Sequence, residues 1–139
     1  MTNSIVKEVI IENYLKAILY DNGIIEIIWD TSIEIIEVIH LVEMQKAVCE
    51  LGNGKKMPLH FTVPEFLQIG DAARKYATSN EGVTYSLAIT VLIDNLAKKI
   101  LFNFFMNVNK PKIPTKSFTN REDAFLWLEQ IHKITYLFL

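Results

Sequence analysis

The chain has 139 residues, a formal charge of −2, 50% hydrophobic and 22% charged residues, and one cysteine. That length suits a single domain, 1–139, with enough apolar material for a core. The balance excludes a disordered chain and a strongly basic nucleic-acid binder, and the lone Cys49 excludes an intrachain disulfide framework or a thiolate metal cluster.

The segment Met1-Thr2-Asn3-Ser4 is polar and leads into a mixed stretch, unlike a signal peptide. The longest clean apolar run lies near Leu87–Ile93, far short of the roughly 18 residues of a membrane span. A soluble cytoplasmic protein with a reduced thiol is expected. Charge is uneven: residues 1–69 hold five Lys and ten acids, residues 70–139 nine Lys plus Arg and six acids.

Residues 5–11 are rich in Ile and Val and predict a strand. Ala17-Ile18-Leu19-Tyr20 and Ile24-Ile25-Glu26-Ile27-Ile28-Trp29 flank Asp21-Asn22-Gly23, a hairpin signal because Asn and Gly tolerate positive φ. Thr31 and Glu34 have capping-box spacing, so a helix is expected from there, with Ile35, Val38, Ile39, Val42 and Cys49 on one face. Cys49 is then a small core residue, and Gly52-Asn53-Gly54 ends the helix. Pro58–Val63 predicts a buried strand and Asp71–Ala77 a short helix.

Ser86–Ile93 suits a central strand covered on both faces. Asp94 can cap a helix running to about Val108. On it Ala97, Ile100, Leu101, Phe104, Phe105 and Val108 form a complete core stripe. Phe102 and Met106 point away from that stripe, beside Lys98, Lys99 and Asn103. After Pro111 and Pro114, Lys116–Phe118 predicts an edge strand. Thr119 and Glu122 repeat the capping-box spacing before a last helix that faces inward with Ala124, Trp127, Leu128 and Ile131. The end, Ile134-Thr135-Tyr136-Leu137-Phe138-Leu139, is apolar and reads as packed on its own domain or as an interface. Strands first, then alternating helix and strand, predict an α/β sandwich with a mixed sheet of about five strands.

The sequence advertises no catalytic centre. His40, His60 and His132 have no metal-ligand spacing, and G-x-S-x-G, P-loop and G-x-G-x-x-G motifs are absent. Gly52-Asn53-Gly54-Lys55-Lys56 follows a helix instead of opening one, so it reads as a turn and not as a phosphate cradle. Lys98, Lys99, Lys110, Lys112 and Lys116 read as a solubilising surface. No catalytic residue, metal, cofactor or nucleic-acid partner is expected.

The stretch Asn103-Phe104-Phe105-Met106-Asn107-Val108-Asn109-Lys110-Pro111-Lys112-Ile113-Pro114-Thr115-Lys116-Ser117-Phe118-Thr119 continues into Glu122-Asp123-Ala124-Phe125-Leu126-Trp127-Leu128. With the Asp-Asn-Gly hairpin and Asp71-Ala72-Ala73-Arg74, it resembles small bacterial proteins of the SpoIIAA-like (STAS-type) group over residues 15–131. The resemblance implies a mixed sheet with helices packed on it. In anti-sigma antagonists of that group a loop after a central strand carries a Ser or Thr that a kinase phosphorylates. The matching segment here, Pro64–Asp71, holds neither. Other members of the wider superfamily bind lipids or other apolar molecules.

The expectation is a non-enzymatic regulatory or protein-interaction module of SpoIIAA-like type, acting as a homodimer or on a regulatory protein partner. The alternative is a carrier or sensor of a small apolar ligand such as a lipid. The candidate binding residues are Asp71, Arg74, Lys99, Phe102, Asn103 and Met106. Arg74 either meets a ligand or partner anion or pairs locally with Asp71 at i, i+3.

Overall fold

A computed structural model gives the fold and describes residues 3–65 and 67–137. The chain opens with β1 (Ile5–Ile11), β2 (Leu15–Tyr20) and β3 (Ile25–Trp29), each antiparallel to the strand before it. The β2–β3 hairpin closes on the predicted turn. Gly23 sits at φ +87° and its N–H donates to the Tyr20 carbonyl at 3.0 Å, while Asn22 Oδ1 accepts from Ile24 N–H at 3.1 Å.

Helix and strand then alternate. The order is β4 (Ile35–Ile36), α1 (Val38–Leu51), β5 (Met57–Thr62), β6 (Gln68–Ile69), α2 (Asp71–Ala77), β7 (Ser86–Leu92), α3 (Leu96–Val108), β8 (Thr115–Phe118) and α4 (Arg121–Leu137). The main sheet is mixed, with six strands in the order β1-β2-β3-β5-β7-β8, and the joins from β3 to β8 are parallel. β4 and β6 form a separate parallel ladder. This is the α/β sandwich that the element order predicts.

Alternate side chains on each strand feed two cores. On one face Ile25, Ile27, Trp29 and Leu59 meet Leu41, Met44 and Val48 of α1. On the other, Ile18, Tyr20 and Ala88 lie beneath Phe125 and Leu128 of α4. α1 packs on β1 and β2, and α4 on β5, β7 and β8.

Several local expectations give way to tertiary structure. No helix starts at Thr31. Asp30 Oδ2 accepts from Ser32 N–H at 2.9 Å in a turn, and Ile35-Ile36 pair with Gln68-Ile69 as strands. The helix begins at Val38, where His40 Nδ1 accepts from the Glu37 N–H at 2.9 Å. Its buried stripe is Leu41, Met44, Ala47, Val48 and Leu51, so Ile39 is exposed and Cys49 only half-buried. The cap of α3 is Asn95, whose Oδ1 accepts from Lys98 N–H at 2.8 Å, and not Asp94. The cap of α4 is Asn120, which accepts from Glu122 and Asp123 N–H, and not Thr119. The apolar end continues α4 to Leu137, where Tyr136 Oη donates to the Lys56 carbonyl at 2.5 Å and Ile134 and Leu137 stay exposed. Phe138 and Leu139, like Met1 and Thr2, lie outside the described residues.

Gly23 is constrained twice, because a Cβ there would lie 2.5 Å from the His132 ring as well as at positive φ. Gly23→Ala should therefore lower stability by at least about 1 kcal/mol in denaturant unfolding. Adding His132→Ala should restore only the steric part of that loss.

Candidate functional site

The first face of the sheet is only partly covered. α1 spans its β1–β2 side, whereas α3, which faces the β5–β7 side, touches the rest of the domain only thinly. Every residue of α3 is half-buried or exposed: Leu96 is 74% exposed, Ile100 61% and Val108 57%. The stripe expected to be core does line the sheet side through Ala97, Leu101, Phe104 and Phe105, but it does not reach the sheet. Between them lies a cavity of about 640 Å³, a volume typical of small-molecule sites.

Phe61 of β5 and Ile89 and Val91 of β7 line it on the sheet side. These odd-numbered positions alternate with His60 and Thr90, which are buried toward the other face. Leu41 and Met44 of α1, Ile69 of β6 and Arg74 of α2 form a wall. Polar tethers hold α3 in place above. Lys98 Nζ donates to the Val63 carbonyl at 2.9 Å and pairs with Asp94 at 2.8 Å, and Lys99 Nζ lies 3.2 Å from Ser117 Oγ. Arg74 sits over the Phe104 ring, 5.8 Å from its centroid.

Of the sequence-predicted site residues, Arg74 and Phe102 line the cavity. Asp71 joins them indirectly, through an ion pair with Arg74. Lys99, Asn103 and Met106 are not among the lining residues: Lys99 and Asn103 are exposed, Met106 is half-buried, and Lys99 reaches β8. Phe102 does not point outward, as its place beside the stripe suggests: it is half-buried and lines the cavity. Sequence reasoning missed Phe61, Ile89 and Val91 as site residues. The alternation along β5 and β7 could have placed them on one face.

A second cluster lies under α4. Glu26, His60 and Thr90 are register neighbours on β3, β5 and β7. Glu26 accepts from Tyr20 Oη at 2.7 Å and from Arg121 Nε at 2.9 Å. His60 Nδ1 is 2.7 Å from Thr90 Oγ1. Phe125 closes the cluster, its ring edge-on to His60 and its face 4.1 Å from the Arg121 guanidinium carbon. Burial pushes the Glu26 carboxyl up, but hydrogen bonds from Arg121 and Tyr20 and the Arg121 charge outweigh it, so its pKa falls. Burial, then the bond to Glu26, lifts Tyr20 to about 12. Burial drives His60 down to about 4, against the opposing pull of Glu26. With His60 and Thr90 fully buried, this cluster braces α4 on β3 and offers no substrate a route to the imidazole. Among the described residues, no group of three or more His, Cys, Asp or Glu is placed to hold a metal ion, and no helix is long and apolar enough to cross a membrane.

Residues 18–132 match the family described as a domain of unknown function, DUF7793, and the chain belongs to that family. No curated protein matches it. Among solved structures, a protein of unknown function from Arthrobacter sp. FB24 is similar at 23% identity, over 81% of this chain and 96% of that one, with a TM-score of 0.29.

The buried imidazole makes the fold acid-sensitive. With the folded pKa near 4 and the unfolded value near 6.5, the unfolded chain binds more protons between them. Stability is then complete above about pH 6.5 and falls by up to about 3 kcal/mol as pH drops to 4. The half-buried His132 adds in the same direction. Urea unfolding at pH 7.5, 5.5 and 4.5 should show this slope, and His60→Gln should flatten most of it.

Proposed function

We propose that this domain is a non-enzymatic binding module that holds a small apolar molecule between the sheet and α3. One observation carries the reading. An apolar helix face is turned toward an apolar sheet face and stands off from it, leaving a cavity of about 640 Å³. A helix with such a stripe normally buries it. Water against Phe61, Ile89, Leu101 and Phe105 is unfavourable, by roughly 25 cal/mol for each Å² that an occupant would remove. The occupant supplies what a longer helix or loop would supply in a filled core.

The second reading is a protein-docking module, and the exposure of Leu96 and Ile100 on the far side of α3 favours it. There a second copy of the chain, or a regulatory partner of the kind implied by the SpoIIAA-like resemblance, would cover α3. The segment between β5 and α2 still lacks a Ser or Thr, so such regulation would not run through a phosphorylated hydroxyl there.

Native mass spectrometry of the purified protein, with uptake of a neutral dye such as N-phenyl-1-naphthylamine, separates the two. Ligand binding predicts an adduct lost on denaturation, or saturable dye uptake at one site. A bare dimer without dye uptake would reverse the order. Phe102→Glu should abolish dye uptake while changing stability by less than about 1 kcal/mol, because Phe102 is not part of either core.

A further inference from the structure

Resting on the ligand-binding reading, we infer that the occupant of the cavity is an uncharged molecule, and that the Asp71–Arg74 pair excludes carboxylate and other anionic amphiphiles. Among the described residues two cations line the cavity, Arg74 and Lys98. Each is already committed. The Arg74 Nη1 donates to the Ile69 carbonyl at 2.6 Å and its Nη2 is paired with Asp71. Lys98 Nζ is paired with Asp94 at 2.8 Å and donates to the Val63 carbonyl at 2.9 Å. Their side chains are only 21% and 13% exposed, so each head group is held against its partner instead of reaching out.

With the two aspartates counted, these cations sum to zero, and Glu65 at the cavity adds a negative charge. Two of the lining hydroxyls are occupied too. Thr78 Oγ1 donates to the Arg74 carbonyl and Thr115 Oγ1 to the Ile113 carbonyl. A ligand carboxylate or sulfonate entering here loses its water and finds no unpaired cation among the described lining residues to replace it, and burying an unpaired charge is strongly unfavourable. A neutral molecule of the same shape carries no such cost.

Two dyes with the same anilinonaphthalene frame test this. N-phenyl-1-naphthylamine is neutral, and 8-anilinonaphthalene-1-sulfonate adds one sulfonate. In fluorescence titrations of the whole chain the neutral dye should bind at least about tenfold more tightly. Asp71→Asn frees Arg74 at a position whose side chain is 83% exposed, so folding is preserved. It should strengthen sulfonate binding several-fold and leave the neutral dye unchanged. Equal or tighter sulfonate binding to the native protein, or no gain in Asp71→Asn, overturns the inference while the cavity reading stands. If neither dye binds, the cavity reading itself falls and takes this inference with it.

Discussion

Parallel strands in the middle of a sheet need cover on both faces, and the described residues hold four helices with which to provide it. α4, at 17 residues, closes one face over β5, β7 and β8. α1 covers the β1–β2 side of the other and packs with the core residues of β3, and α2 beside it has seven residues. What remains falls to α3. That helix is tethered at its first turn by Lys98 to the Val63 carbonyl and by Lys99 to Ser117, and steadied by Arg74 against Phe104. Neither tether pulls its body onto the sheet. The cavity follows from this geometry and needs no special residue to carve it.

The covered face is organised differently, around a charge. Glu26 interrupts an otherwise apolar strand, and the chain supplies Arg121 and Tyr20 to hold it. A buried carboxylate left without those partners is far more costly than an apolar residue in its place. The pair therefore specifies where α4 must begin relative to β3 more than it adds net stability. It joins residues 95 positions apart and ties the first turn of α4 to the second strand of the hairpin.

Features set by local chemistry were legible in the sequence. Asp21-Asn22-Gly23 gave away the hairpin, and Asp71–Ala77 and the β7 run were visible as elements. Capping residues were displaced by one position twice, because Asp94 and Thr119 each precede an Asn whose side chain reaches the free N–H groups better placed. The false helix start at Thr31 has a different cause. Ile35-Ile36 is drawn into a ladder with Gln68-Ile69, a pairing that no local pattern announces. Arg121 was missed as the partner of Glu26 for the same reason of distance, although a lone acid between Ile25 and Ile27 was a signal in itself. The cavity lay beyond periodicity altogether. A stripe such as Leu101, Phe104 and Phe105 reads the same whether the facing surface is in contact or several ångströms away.

The thin attachment of α3 has a consequence for backbone order. None of its residues belongs to either core, so its hydrogen bonds can break while the sheet, α1 and α4 stay packed, and its amides should exchange with solvent through local opening, below the free energy that unfolds the whole domain. Anything that fills the space beneath it gives those turns a surface to rest on. On the ligand-binding reading, occupancy would be written into the protection of one helix while the sheet stays as it was, a signal that needs no rearrangement of the fold.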